Sequence, residues 1–322
     1  MASLHRRTLL ASAVAGFALP AQAQKRMPRQ TTLIVPFAAG GAADIIGRAV
    51  ADRLGAMSGS TIIVENRGGA GSNVGLAAVA KAEPDGSVIG LASIALAVNP
   101  SLYRAMPFDP LRDLAPLTLA LETPNVVIVP ATSPIRSVAD LIAAAKAKPD
   151  GLSYASAGIG SSLHLAAILF CQQAGVAMTH VPYRGTNPAL GDLISGRIDV
   201  MFDNASTAVP QTVGGTVRAI AVTTAERIAA LPDIPTVSEA GLRGYLLSNW
   251  WGSVAPAGLP PESAGQLTAN LRAALRDEAT RSSVRNISGT IVASDADEFR
   301  AHLHRESSRW RDILAAARVE RE

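Results

Sequence analysis

Two glycine-rich stretches of this sequence could hold an anion without any charged side chain. Ala38-Ala39-Gly40-Gly41-Ala42-Ala43-Asp44 follows the apolar run Leu33–Phe37, and Ser156-Ala157-Gly158-Ile159-Gly160-Ser161-Ser162 follows Ser153–Ala155. If each run is a strand and each glycine turn opens a helix, the first helical amides lack intrahelical acceptors and lie at the positive end of the helix dipole. The hydroxyls of the second stretch add donors suited to a carboxylate. Taken singly, each stretch is equally a tight strand-to-helix turn, with Asp44 as a cap. Two of them more than a hundred residues apart imply two lobes closing on one small anion, and a side chain placed at Gly41 or Gly160 would intrude on it.

Other chemistries find less support. Gly158-Ile159-Gly160 lacks the third glycine of a dinucleotide fingerprint, because position 163 is Leu, and no acid stands about twenty residues on to take a ribose. Ser161 and His164 are three apart without a Gly-x-Ser-x-Gly elbow, which makes no triad. His302 and His304 face different sides of a helix, and the single Cys171 sits in an apolar helical run, so neither a metal centre, a cofactor site nor an internal disulfide is expected. Asn66 with Gly68–Asn73, and Asp203-Asn204 with Ser206-Thr207, follow strands at positions where α/β sheets expose binding loops. An acid such as Asp203 would repel a carboxylate and could hold an ammonium group.

The elements that must position these loops alternate. Strands at Leu33–Val35, Thr61–Val64 and Val88–Leu91 flank helices at 44–57 and 72–82, with Ile45, Ile46, Ala49, Val50 and Leu54 on one face of the first. A second series begins at Val126–Val129. Ser137 caps a helix, Leu152–Ala155 and Met178–Val181 are strands, Asn187-Pro188 opens a helix, and Ile198–Phe202 and Val217–Val222 follow. Each βαβ series predicts a mostly parallel sheet flanked by helices, an α/β fold in two lobes. From Trp250 the chain returns to the first lobe through Ser253–Pro256, a helix opened by Pro260-Pro261, a strand at Ile291–Ala293 and a last helix carrying Phe299, Leu303, Trp310 and Leu314. The lobes are thus 24–125 with 250–322, and 126–249, joined near Asn125 and Asn249.

Residues 1–23 read as an export signal: Arg6-Arg7, an apolar run from Leu9 to Leu19, and Ala21-Gln22-Ala23 as the cleavage site. His5-Arg6-Arg7-Thr8-Leu9-Leu10 also resembles a twin-arginine signal. Removing it takes two of the 29 basic residues and none of the 26 acidic ones, leaving a net charge of +1. That balance argues against nucleic-acid binding by a broad basic face.

In order along the chain, Val35-Pro36-Phe37-Ala38-Ala39-Gly40-Gly41-Ala42-Ala43-Asp44, Val64-Glu65-Asn66-Arg67-Gly68-Gly69-Ala70-Gly71, Asn99-Pro100-Ser101-Leu102-Tyr103, His180-Val181-Pro182-Tyr183-Arg184-Gly185 and Trp251-Gly252-Ser253-Val254-Ala255-Pro256 resemble the Bug family, the solute-binding proteins of tripartite tricarboxylate transporters. The resemblance implies a type II periplasmic-binding-protein (Venus-flytrap) fold, no catalysis and capture of a small organic carboxylate in the periplasm by a monomer. It implies membrane transporter subunits, or alternatively a sensor protein, as partners. Carried over, the ligand would meet Phe37, Ala39 and Gly40–Asp44 on one side and Ser156–Ser162 on the other, with Ser93, Arg184, Gly185 and Asp203 as wall residues. Ala38-Ala39 replace the family's usual prolines and Ala43 its small hydroxyl residue, so citrate in particular is not implied.

Overall fold

A computed structural model describes residues 27–321; the expected export signal lies outside the described residues. In chain order the elements are β1 (Gln30–Val35), α1 (Ala42–Ser58), β2 (Thr61–Asn66), α2 (Asn73–Ala80), β3 (Val88–Ser93), α3 (Ala95–Leu102) and β4 (Leu114–Pro130). There follow α4 (Val138–Ala147), β5 (Ser153–Ser156), α5 (Ser162–Ala174), β6 (Thr179–Pro182), α6 (Thr186–Ile194), β7 (Val200–Asn204), α7 (Ala205–Val213) and β8 (Val217–Val222). The chain ends with β9 (Ser248–Pro256), α8 (Pro261–Arg276), α9 (Glu278–Asn286), β10 (Thr290–Ile291) and α10 (Ala296–Ala316).

Local chemistry sets many of these boundaries. Gly59, at φ +70°, ends α1 by donating its N–H to Gly55 O, and Ser137 Oγ caps α4 by accepting from Asp140 N. Asp295 and Glu298 form a reciprocal capping box on α10. In α1, Ile46, Val50 and Leu54 are buried at helical spacing, whereas Ile45, expected on the same face, is 41% exposed. The helix lies close on β1, since a Cβ on Gly47 would stand 2.6 Å from Val35 Cγ2.

The strands join in the order β2-β1-β3-β9-β4-β7-β5-β6, with β8 and β10 also pairing to β4. β1 with β2 and β3, and β5 with β6 and β7, are parallel; the pairings of β9 and β4 are antiparallel. Both halves are therefore mixed sheets rather than mostly parallel ones. The reason is β4: it pairs with β9 from Leu114 to Pro124, then with β7 and β8 from Asn125 to Pro130, so one strand serves both halves. One apolar core holds Leu33, Ile46 and Leu271, another holds Ile128, Leu163 and Met201, and a third, containing Val127, Phe170, Trp250 and Trp310, runs through both halves. No described helix is long and apolar enough to cross a membrane.

Candidate ligand-binding cleft

Both glycine turns lead from a strand into a helix. Gly41 precedes α1, whose Asp44 and Ile45 amides close onto Gly41 O at 3.0 and 3.1 Å. The opening amides of Ala42 and Ala43 lie a turn too early for an acceptor within the helix. In the second turn, Gly158 N donates to Ser156 Oγ, Gly160 N to His164 Nδ1 and Ser161 N to Gly158 O, so much of this loop is bonded to itself. Ser161 Oγ donates to Gly158 O at 2.6 Å and accepts from His164 N. That leaves Ser162 and Leu163 as the opening amides of α5.

The two helix starts face one cavity of about 660 Å³. A third helix start enters it with Gly185, Thr186 and Asn187 of α6, and its wall includes Ser93, Gly69–Ser72, Tyr103, Tyr183 and Trp251. Among its lining residues Arg184 is the sole charged side chain. Amides knit the floor: Asn249 Nδ2 and Ser162 Oγ both donate to Asn204 Oδ1 at 3.4 Å, and Asn125 Nδ2 donates to Phe202 O at 2.7 Å and Ser162 Oγ at 3.3 Å. Another cavity, of about 340 Å³, lies between α3, residues 103–111 and α10 and holds none of these helix starts.

The family model of the tripartite tricarboxylate transporter family receptor matches residues 46–319. The chain belongs to that family. The UPF0065 protein in the tcbD-tcbE intergenic region of Pseudomonas sp. (strain P51) is 35% identical to this receptor over 99% of this chain and 96% of its own. R. palustris Rpa4515, solved with adipate, has a TM-score of 0.85 at 34% identity, covering 89% of this chain and 97% of that one. The periplasmic binding protein BugD has a TM-score of 0.85 at 32% identity, covering 91% and 99%. The receptor shares their two-lobed α/β fold.

Of the residues expected at the site, Phe37, Ala39, Gly41, Ala42, Ala43, Ser93, Ala157, Gly158, Ser161, Ser162, Arg184 and Gly185 line the cavity. Gly40, Asp44, Ser156, Gly160 and Asp203 do not. Asp44 is buried as a brace, accepting from Gly40 N, Arg48 Nε and Asn66 Nδ2, and these partners, with Arg48's charge, hold its carboxyl below the usual carboxylate range against the upward push of burial. Ser156 is buried against His180, with 2.7 Å between Oγ and Nε2. A Cβ on Gly160 would stand 2.4 Å from Asn99 Oδ1, so a side chain there collides with the protein before it meets a ligand. Sequence reasoning missed Asn249, Trp251, Tyr103 and, beyond the expected Gly185, the rest of the start of α6. That helix has Gly185 at φ +123° as its N-cap in place of Asn187, a conformation glycine tolerates.

His164 is no partner for a serine nucleophile. Its ring is buried, stacked at 4.1 Å between centroids on His180, which stacks in turn at 4.8 Å on Tyr154. Burial holds His164 down to about 3, with His180 adding to the effect, and holds His180 down to about 4. Because Nδ1 of His164 accepts from Gly160 N, the neutral ring carries its proton on Nε2 and fixes the glycine loop from behind.

Asp203 is wholly buried behind the cavity wall, where it cannot meet an ammonium group. Oδ1 accepts from Asn204 N at 2.8 Å and Oδ2 lies 2.6 Å from Thr207 Oγ1. Burial pushes its carboxyl up to about 7, outweighing those two bonds. A folded-state pKa above the unfolded value makes the folded form bind the extra proton between about 4 and 7, so this group removes stability as pH rises through that window. Asp203→Asn is expected to raise Tm by several degrees at pH 8.5, with the gain shrinking toward pH 4. A gain independent of pH would show that ionisation is not its source.

Proposed function

We propose that this receptor, exported with residues 1–23 removed, captures a small carboxylate between its lobes and presents it to the membrane subunits of a tripartite tricarboxylate-type transporter. The lobes are residues 24–125 with 250–322, and 126–249, hinged near Asn125 and Asn249. The carrying observation is that the α1 and α5 starts, with opening amides at Ala42, Ala43, Ser162 and Leu163, face one cavity containing a single lining charge, Arg184. Each helix start favours an anion by about 0.3–1 kcal/mol, and up to about 2 kcal/mol where partly buried. Rpa4515, solved with adipate, supports a carboxylate as the ligand class. Binding by fixed dipoles is a job of holding, and nothing in it requires a bond to be broken.

A thermal screen of mono-, di- and tricarboxylates tests the reading. A ligand at about 1,000 times its dissociation constant adds roughly 4 kcal/mol to stability. Gly41→Val supplies the specific control: at φ −89° a Cβ meets only Ala38 O, at 3.9 Å, so the fold tolerates a side chain that enters the cavity beside α1. The variant should keep its native circular dichroism and lose at least tenfold in affinity. Undiminished affinity would remove the α1 start from the site, and shifts with amines or sugars alone would overturn the carboxylate.

A further inference from the structure

The helix starts account for a carboxylate and leave most of the cavity unexplained. Resting on the carboxylate reading, we propose that the preferred acid is an aromatic carboxylate whose ring packs on Phe37, which the buried Trp251 backs. The chain has only six Phe, three Trp and four Tyr, yet Phe37, Tyr103, Tyr183 and Trp251 all line this one cavity. Phe37 and Trp251 meet edge to face, centroids 5.8 Å apart at 77°, the arrangement that a further ring can extend. The Trp251 ring is fixed by Nε1 donating to Thr123 Oγ1 at 3.1 Å, and the Phe37 backbone is anchored by its carbonyl accepting from Asn66 Nδ2.

Size and polarity point the same way. An apolar cavity of about 150 Å³ suffices for benzene, whereas this one measures about 660 Å³. A four-carbon hydroxy acid would leave water against the half-buried Phe37 ring and the methyls of Ala38 and Ala39, where its hydrogen bonds have few partners. Within the two glycine turns the hydroxyls are already engaged, since Ser161 Oγ is committed to Gly158 O and Ser162 Oγ to Asn204 Oδ1, and position 43 is Ala. One arginine and a set of helix dipoles balance one or two negative charges better than three.

The test uses the exported chain without residues 1–23 and compares benzoate, phenylacetate and terephthalate with malate, adipate and citrate by thermal shift and calorimetry at equal ionic strength. At least one aromatic acid should bind tenfold more tightly than every aliphatic acid. Phe37→Ala should weaken that acid at least tenfold and should weaken it more than it weakens the best aliphatic acid, so that the aromatic preference shrinks. Phe37→Leu, which keeps apolar volume without a ring, should lose the aromatic preference even if Phe37→Ala folds poorly. An aliphatic acid that equals or beats every aromatic one, or an aromatic preference unchanged in both variants, overturns this inference and leaves carboxylate capture standing. Binding of none of the six acids would overturn both.

Discussion

Gly71→Ala is expected to weaken binding of the tightest acid by about 10- to 100-fold without unfolding the protein. Gly69, Ala70, Gly71 and Ser72 all have positive φ, at 133°, 44°, 57° and 80°, an unusual run that carries the loop after β2 across the cleft. There a Cβ on Gly71 would stand 2.5 Å from Ile159 O, in the loop after β5. The two sides of the cavity touch at this point through backbone, and a methyl group must push them apart. Overpacking of that kind costs about 1–3 kcal/mol, which sets the expected loss. The left-handed backbone itself costs an alanine about 1–2 kcal/mol, and that part lowers stability with or without ligand. Gly59→Ala separates the two effects: its φ is +70° and nothing lies within 4 Å of the added Cβ, so it should lower Tm and leave affinity alone. Calorimetry on both variants decides the matter, and full affinity in Gly71→Ala would mean that the lobes need not approach here.

Trp310→Ala is expected to cost about 3–5 kcal/mol, the range for removing a large buried aromatic side chain. The indole is fully buried in the core that runs through both halves, its Nε1 donates to Glu306 Oε2 at 3.1 Å, and Arg309 stands over the ring. For a chain of this size each kcal/mol is worth about 2–4 °C, so Tm should fall by about 10 °C. If α10 were an appendage, thermal melting would hardly register the change.

Much of this architecture was legible in residue order. The β1–α1 and β5–α5 units follow from an apolar run, a glycine turn and helical spacing, and Ser137 caps its helix as its position implies. β4 was legible only over Val126–Val129. Pro116 and Pro124 lie within its 17 residues, where proline removes a ladder donor, and β4 accommodates them with a shift of register after Pro116. α3 escaped because Ala95–Leu102 is apolar nearly all round and carries Pro100, so it shows no amphipathic period. At the site, pattern located the two cradles and could not tell open amides from those that Asp44, Ser156 and His164 occupy. The gathering of aromatic residues from positions 37, 103, 183 and 251 is a product of tertiary packing, which no local window contains.

The insertion of β9 between β3 and β4 has a bearing on when this protein can become itself. Leu91 and Thr118 are both bonded in register to the strand around Ser253, so the first sheet has a gap at its centre until residue 256 has been made. Contacts of such long sequence separation slow folding, because the intervening chain must be closed into a loop before they form. A nascent chain of this design therefore stays without its finished first sheet for most of its synthesis, and the strand from the last quarter of the chain completes it.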